Sequence, residues 1–239
     1  MCIRDRLRTS LCILGITLAT VFIVTIGATT SRYISTIKEM NLFFSEDIVV
    51  VARGVIVIYV FPIGGTLQED TVDKIKLVEG VETAVPMLFI IAPKQEGVLQ
   101  LIPTNVSIGI PPGNWSVLLG STPLEPDGNW PSEDPNKREV VIGQSLATQF
   151  NLTVGSETKI EDQDLKIVGI LDTPSILLSR SIIMPLRLAQ VVYGYNMLVN
   201  MVIVKPSKGV TQEELATKIE IQIGSIKALT REERNEIIM

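Results

Sequence analysis

The feature that most constrains this chain is an apolar run from Leu11 to Thr30, LCILGITLATVFIVTIGATT, which holds no charged residue. A helix of about 20 residues, at roughly 1.5 Å per residue, spans about 30 Å, the thickness of the hydrocarbon core of a bilayer. Threonines in such a helix can return their hydroxyl groups to carbonyls of the same helix, so lipid tolerates them. We therefore predict a transmembrane helix over residues 11–30.

The charges in front of the run indicate its orientation. Arg4, Arg6 and Arg8 precede it, against one acidic residue, Asp5. Because arginine-rich flanks stay on the cytoplasmic side of a membrane, we expect residues 1–10 to form a cytoplasmic stub and everything after the span to be extracytoplasmic. The protein then lies in the plasma membrane, with membrane lipid as one partner and a globular domain facing outward.

A secretory signal peptide is the alternative to an uncleaved anchor. The apolar region of a signal peptide usually has about 7–15 residues and ends at a small-residue cleavage site. Here the run is longer, and residues 28–31 (ATTS) form a poor cleavage signal. We expect an uncleaved anchor and keep the signal peptide as the alternative.

The composition excludes several classes of function. Roughly 200 residues follow the span, enough for one substantial domain or two small ones. A net charge of −5 without a basic cluster argues against a nucleic-acid partner. The chain has no histidine, which removes Ser-His-Asp and Cys-His catalysis and most zinc sites, and it has no GxxxxGK[ST] phosphate loop. We predict that it is not an enzyme and holds no catalytic residue, metal or cofactor.

Two segments of the outer part share one order of elements: strand, turn, helix, strand. In the first, the β-branched stretch 47–61 predicts one long strand or two short ones around Gly54, and residues 81–86 predict another strand. Between them, Thr66 and Glu69 have the spacing of a capping box, in which the threonine and the glutamate each bond the other's backbone N–H at a helix start. The apolar face of that helix consists of Val72, Ile75 and Val78.

The second segment repeats the order near the C-terminus. Residues 201–206 and 225–229 predict strands, and Thr211 with Glu214 predicts the capping box of the helix between them. If the repeat is real, the two halves form a split βαβ unit with both helices on one face of a shared sheet. The alternative is that any two strand–helix–strand units look alike.

The region between the two halves has a different pattern. It predicts strands near 99–110, an irregular stretch at 111–137, a strand at 139–142, a helix at 144–150, a hairpin of 157–160 and 165–171, a strand at 181–184 and a helix at 186–192. We interpret this mostly β region as an insertion that splits the first fold.

A few residues are candidates for modification or binding. Asn105, Asn114 and Asn151 each begin an N-x-[ST] sequon and are candidate glycosylation acceptors. Trp115 and Trp130, in the irregular stretch, are candidates for docking a partner, because aromatic side chains anchor interfaces; the alternative is that each packs on its own loop. We interpret the acidic residues 161–164 as a solvated hairpin tip, and the methionines Met184, Met197 and Met201 as core residues.

The segment LRTSLCILGI (residues 7–16) is similar to the opening of the first membrane span in MacB/FtsX-type ABC transporter permeases. The similarity continues in order along nearly the whole chain. It takes in DIVVV (47–51), GVETAVP (80–86), IGI (108–110), residues 115–120, EVVIGQSLATQFNLTVGSETKI (139–160), LKIVGIL (165–171), IIMPLRLAQ (182–190) and VIVKP (202–206). No single segment is diagnostic, but nine in register identify the chain as a member of this family.

The resemblance implies an α+β fold: an N-terminal transmembrane helix followed by an extracytoplasmic, porter-like split βαβ domain with a mostly β insertion. The regions we predict are the stub (1–10), the transmembrane helix (11–30), a stalk helix (31–44), the first porter-like half (45–95), the inserted subdomain (96–185), the second porter-like half (186–230) and the start of a helix towards a second span (231–239).

The resemblance also implies a mechanical role. Permeases of this family form homodimers or heterodimers, bind a cytoplasmic ABC ATPase subunit, and use their outer domain to pass ATP-driven motion to substrate export or to an outer partner. The alternative from a different class is a self-contained single-span protein whose outer domain binds a ligand or acts as a sensor.

The chain departs from the family pattern at both ends. The later membrane spans are missing after residue 239, and Met1–Arg6 (MCIRDR) resembles translated sequencing-adapter sequence. We therefore expect a fragment of a longer permease, truncated at the C-terminus. The transported substrate, its direction of movement and the partner ATPase do not follow from these residues.

Overall fold

The structure is a computed structural model that describes residues 2–42, 47–58, 61–91 and 105–238. The chain divides into two compact units, Met1–Glu39 and Met40–Met239. The predicted strand residues 99–104, the predicted stalk residues 43–44 and residues 59–60 of the first predicted strand region lie outside the described residues.

The first unit is helical. Helix α1 runs over Cys2–Leu42, and its segment Arg8–Thr30 is long and apolar enough to cross a membrane by length and composition. The hydroxyls of Thr17, Thr20 and Thr25 donate to the carbonyls four residues earlier at 2.7–2.8 Å, as predicted. Apolar side chains in the segment are exposed, Phe22 by 66%. A helix that presents apolar side chains all round suits lipid rather than water.

The second unit begins with the first half of the repeat. Its elements are β1 (Ile48–Ala52), β2 (Ile56–Ile58), β3 (Phe61–Ile63), β4 (Leu67–Gln68), α2 (Glu69–Lys76) and β5 (Val81–Ile91). The β-branched stretch thus forms short strands, with Gly54 at a positive φ of 83° in the turn after β1. Only glycine adopts that conformation at little cost, which is why the strand breaks there.

The middle of the chain and the second half of the repeat follow. The elements are β6 (Val106–Ile110), α3 (Trp115–Leu119), a 3-10 helix (Pro135–Lys137), β7 (Glu139–Gly143), α4 (Gln144–Phe150), β8 (Glu157–Ile160), β9 (Gln163–Leu171), α5 (Ile176–Ser179), β10 (Ser181–Pro185), α6 (Leu186–Tyr193), β11 (Leu198–Val199), β12 (Met201–Pro206), α7 (Gln212–Gln222), β13 (Ile226–Leu229) and α8 (Arg231–Ile238).

Among the described residues, nine strands form one sheet in the order β13-β1-β12-β5-β6-β10-β7-β9-β8. The first four neighbours pair antiparallel, so the units β1-α2-β5 and β12-α7-β13 interleave. This is the predicted split βαβ arrangement. The remaining strands continue the same sheet beyond β5, with β6–β10 and β7–β9 paired parallel.

Both faces of the sheet are buried. Ile48 and Val50 on β1 face the layer of α2 and α7, together with Ile75 and Ile219, which have no exposed surface. The alternate residues Val49 and Val51 face a second cluster on the opposite side. Burying one such side chain stabilises the fold by about 1.5–3 kcal/mol. Residues 40–239 contain no cysteine, so no disulfide bond within the second unit adds to this core.

Three local predictions were wrong. The capping box at Thr66 does not form, because residues 67–68 pair with β11 as a strand and the N-cap of α2 is Gln68, without a side-chain cap. The strand region predicted at 47–61 extends two residues further, since Pro62 and Ile63 belong to β3. Met197 is 57% exposed with φ 54°, whereas Met184 and Met201 are fully buried as predicted. The boundaries of the inserted subdomain stay a prediction.

Candidate functional site

The ends of the second unit meet at one buried arginine. Arg234 lies on α8 and is 1% exposed, and Asp47 is the first described residue after α1. The Nη1 group of Arg234 donates to the backbone carbonyl of Asp47 at 2.9 Å and to that of Leu229 at 3.0 Å. One guanidinium therefore joins the beginning of β1, the end of β13 and helix α8. We call the contacts of Arg234 with Asp47 and Leu229 the arginine joint.

The arginine joint remains charged at neutral pH. Burial lowers the pKa of Arg234 to about 10, with the charge of Asp47 acting in the opposite direction and that of Arg231 adding to the lowering. A buried arginine is stable only when its donors are satisfied, because removing an unpaired charge from water is costly. The two carbonyl acceptors therefore hold Arg234 in a single position, and Arg234 in turn fixes α8.

A complete capping box fixes the start of α8. The backbone N–H of Glu233 donates to the Thr230 hydroxyl at 3.3 Å, and the backbone N–H of Thr230 donates to the Glu233 carboxylate at 3.1 Å. The sequence pattern TREE at 230–233 predicts this cap by the same rule as for Thr66 and Thr211. It is a site that our sequence analysis missed.

Lys227 adds ionic contacts beside the cap. Its ammonium group donates to Glu233 at 2.7 Å and lies 3.1 Å from Glu220. The hydrogen bond to Glu233, with further help from Glu220, raises the pKa of Lys227 above its ordinary value. Glu220 also accepts the backbone N–H of Ala228 at 2.9 Å, which occupies a donor of the edge strand β13. The end of the domain is thus held by α7, β13 and α8 together.

A second polar cluster links α2, in the first half of the repeat, to α6. The Glu69 carboxylate at the start of α2 accepts two hydrogen bonds from Arg187 at 2.9 and 3.0 Å and one from Gln190 at 2.6 Å, both on α6. Gln190 is 3% exposed and also donates to the carbonyl of Leu198. A forked arginine–carboxylate pair is strong and directional, so α2 and α6 are held at one orientation.

Comparison with known proteins identifies the fold and the family. Residues 9–222 match the family described as MacB-like periplasmic core domain. The chain belongs to this family. No curated protein matches the chain.

A solved structure shows the same fold, and a second one aligns with a lower TM-score. The periplasmic region of MacB from Actinobacillus actinomycetemcomitans superposes with a TM-score of 0.56 at 12% identity, covering 82% of this chain and 94% of that one. The extracellular domain of the noncanonic ABC-type transporter YknZ from Gram-positive bacteria aligns with a TM-score of 0.49 at 19% identity, covering 69% of this chain and 90% of that one. The family and the apolar helix support a location at the membrane.

The two tryptophans of the MacB-like domain contact each other. The ring centroids of Trp115 and Trp130 lie 5.6 Å apart and the rings are inclined by 13°, a stacked arrangement. Trp115 packs on the second core cluster and Trp130 is 36% exposed. Stacking explains how a long irregular stretch is held, because each ring covers the other. A partner-docking role for the pair stays a prediction.

The three sequons lie in different settings. Asn105 is half-buried at the start of β6, and Asn114 is half-buried at the N-cap of α3. Asn151 is exposed at the C-cap of α4, in a left-handed conformation with φ 52°. Of the three, Asn151 presents its side chain best to a modifying enzyme. Glycosylation at all three positions stays a prediction.

The acidic hairpin tip offers little to a metal. Glu161, Asp162 and Asp164 are exposed, and Lys159 lies 3.5 Å from Asp162. Within the described residues, no group of three or more acidic or cysteine side chains is arranged to hold a metal ion.

Proposed function

We propose that this chain is the membrane anchor and outer domain of an ABC transporter permease, with its N-terminus cytoplasmic and its MacB-like domain extracytoplasmic. In this role it works as part of a permease homodimer or heterodimer with a cytoplasmic ABC ATPase. Membership of the MacB-like family and the apolar helix support the proposal. The basic residues before the helix support the orientation.

The arginine joint is the observation that favours a mechanical role. A domain that transmits motion must connect the segment that leads in from the membrane firmly to the segment that leads out. Arg234 joins the first described residue after α1 to the helix that ends the domain, through hydrogen bonds of 2.9 and 3.0 Å. We propose that α8 continues towards a second membrane span.

Displacement is passed on without any chemical step. In the proposed role, a displacement that reaches β1 passes to α8 through Arg234. The rest of the domain moves with them, because β1 lies between β13 and β12 in the central sheet. The Glu69–Arg187 cluster then carries the movement to the α6 side of the domain. The role is mechanical rather than catalytic.

The proposal is tested by isolating the chain with its partners. A tagged copy is purified from membranes of the source cells, and co-isolated proteins are identified by mass spectrometry. We expect an ABC ATPase among them, and a different protease cleavage pattern of the outer domain with ATP and vanadate than with ADP. If the chain is isolated without an ATPase, the single-span ligand-binding alternative replaces our proposal.

Two variants make the test specific for the arginine joint. Arg234→Met removes the buried guanidinium, whereas Arg231→Met removes an exposed arginine one helical turn away and is the matched control. We expect Arg234→Met to abolish the nucleotide-dependent change in cleavage while ATP hydrolysis continues, and Arg231→Met to preserve the change. Arg234→Lys keeps the positive charge but lacks the planar guanidinium, and it provides a second variant if Arg234→Met does not fold.

A further inference from the structure

A groove opens on the helix-bearing face of the sheet, between α4 and α6. Its volume is about 390 Å³. The floor consists of three residues that lie side by side on adjacent strands, Ser107 on β6, Ile182 on β10 and Ile142 on β7. Leu146 and Phe150 of α4 form one wall, and Tyr193 at the end of α6 forms the other.

The groove exists because the helical layer is interrupted there. Among the described residues, α2, α6 and α7 cover the strands elsewhere on this face, whereas none of them covers the apolar floor between α4 and α6. Helix α6 lies close to β6, since a Cβ on Gly109 would come within 2.4 Å of the Ala189 Cβ. This close approach places Tyr193 directly over Ser107 without closing the space beside it.

The lining is mostly apolar by area, and its polar residues are the pair of Ser107 and Tyr193 together with Asn105, Thr158, Lys159 and Glu161. Half-buried Leu152 and Ile160 complete the walls, and the ring of Phe150 at the rim is 55% exposed. The hydroxyls of Ser107 and Tyr193 are hydrogen-bonded to each other. Cavities of about 300–1,000 Å³ with mostly apolar walls and few polar groups are typical of small-molecule sites.

The hydroxyl pair defines the chemistry of an occupant. Two hydroxyls carry two protons, and one proton is used in their mutual bond, so the other can be donated to an acceptor in the groove. Burial raises the pKa of Tyr193, and the charge of Glu161 adds to this, so the phenol stays a neutral donor. The same negative charge disfavours a carboxylate ligand. A neutral oxygen acceptor, as in an alcohol or ester, fits these constraints.

We propose that this groove binds a neutral amphiphile, with its alkyl chain along Ile142, Leu146 and Phe150 and its oxygen accepting a hydrogen bond from the Ser107–Tyr193 pair. Lys159, the other charged residue of the lining, lies 3.5 Å from Asp162, which offsets its charge, so the rim offers no net positive charge to an anion. The alkyl chain belongs either to a membrane lipid or to a free small molecule, and the same site suits both. This proposal does not depend on the proposed transport role.

The proposal is tested by photolabelling the full chain in lipid nanodiscs. One sample receives a medium-chain alcohol that carries a diazirine, and another contains a diacylglycerol with the diazirine in its acyl chain. Labelled residues are mapped by mass spectrometry. We expect labels on 144–150 or 157–160 with at least one probe, and the probe that labels indicates the source of the alkyl chain. Labels confined to 8–30 with both probes would falsify the proposal.

Variants and competitors test the details of the site. Tyr193→Phe keeps the shape but removes the donor, so we expect labelling in the groove to fall about two- to tenfold, the value of one hydrogen bond. Phe150→Ala should also lower it, whereas Ile221→Ala, a change at a 78% exposed residue of α7, should leave it unchanged. Unlabelled alcohol should compete better than the carboxylic acid of equal length. Equal competition, or equal labelling of Tyr193→Phe, contradicts the assigned chemistry.

Discussion

The starts of helices α2 and α8 carry the same sequence pattern but are built differently. Thr66 and Glu69 have the Thr-x-x-Glu spacing, and so do Thr230 and Glu233. At α8 both hydrogen bonds of the capping box form, whereas at α2 the helix begins at Glu69 itself and its carboxylate bonds Arg187 and Gln190. The same Thr-x-x-Glu pattern therefore does not by itself secure a capping box: at α2, residues 67–68 pair with β11 and the glutamate bonds side chains of α6 instead.

The start of α7 is intermediate between these two. The backbone N–H of Glu214 donates to the Thr211 hydroxyl at 3.3 Å, but the Glu214 carboxylate lies 3.1 Å from Lys218, one turn further along the helix. An exposed pair of this kind contributes about 0.3–0.5 kcal/mol. Replacing the glutamate should therefore lower the free energy of unfolding by a different amount at each of the three helix starts.

The largest loss of stability is expected at α8, from Arg234→Met. This change removes the guanidinium from the carbonyls of half-buried Asp47 and buried Leu229, and an unsatisfied buried acceptor costs about 1–3 kcal/mol. We expect the free energy of unfolding to fall by about 2–4 kcal/mol. Tryptophan fluorescence during denaturation measures it, because both tryptophans lie in the outer domain. If Arg234→Met lowers the free energy of unfolding no more than Arg231→Met does, the arginine joint does not stabilise the domain.

The next largest effect is expected at α2, from Glu69→Ala. The change removes the carboxylate that accepts two hydrogen bonds from Arg187 and one from buried Gln190. A hydrogen bond to a charged group contributes about 1.5–3 kcal/mol to stability. We expect a loss of about 2 kcal/mol in the same unfolding measurement. Glu214→Ala is the matched control, with an expected loss below about 0.5 kcal/mol. Equal losses of unfolding free energy in Glu69→Ala and Glu214→Ala would show that the bonds of Glu69 to α6 add no stability.

Among the threonines of the three patterns, Thr66 should matter least for stability. Removing an N-cap side chain costs about 1 kcal/mol, so Thr230→Ala and Thr211→Ala should each lose that amount. Thr66→Ala should change stability by less than about 0.3 kcal/mol, since α2 is capped by Gln68 without a side-chain bond. A loss of a full kilocalorie at Thr66 means that the capping box forms there in solution.

The smallest effect is a pH dependence at Lys227. Its pKa is raised above 10.5 in the folded protein, chiefly by Glu233, so its stabilisation is fully present below pH 10.5 and is lost as pH rises through the folded value. The ammonium group is partly exposed, so we expect about 0.5 kcal/mol. The difference in unfolding free energy between the wild type and Lys227→Met should be constant from pH 7 to about 10 and decrease above it.

Local signals predicted much of the fold because short-range rules govern it. The apolar run, the helix Gln144–Phe150 and the hairpin of β8 and β9 follow from composition and spacing within a few residues. The repeat of strand, helix and strand in both halves indicated the split βαβ sheet. Glu69 bonds side chains that are far away in the sequence, and there the capping-box rule gave a wrong prediction.

The candidate site was largely hidden for the same reason. Arg234 and Asp47 are separated by 187 positions, and nothing in the sequence pairs one arginine with one backbone carbonyl at that distance. The TREE pattern at 230–233 was a usable signal for the helix start, but it says nothing of the buried side chain one position later. The contact between Trp115 and Trp130 likewise depends on how the irregular stretch folds back.

Hydrogen exchange of the full chain in nanodiscs tests the arginine joint most directly. If Arg234 makes α8 part of the rigid domain, the amides of α8 and β1 should exchange with similar opening free energies in the wild type. In Arg234→Met, α8 should exchange much faster while β1 stays protected. Fast exchange of α8 in the wild type, with β1 protected, would show that the helix is loosely attached and would contradict transmission of motion through the joint.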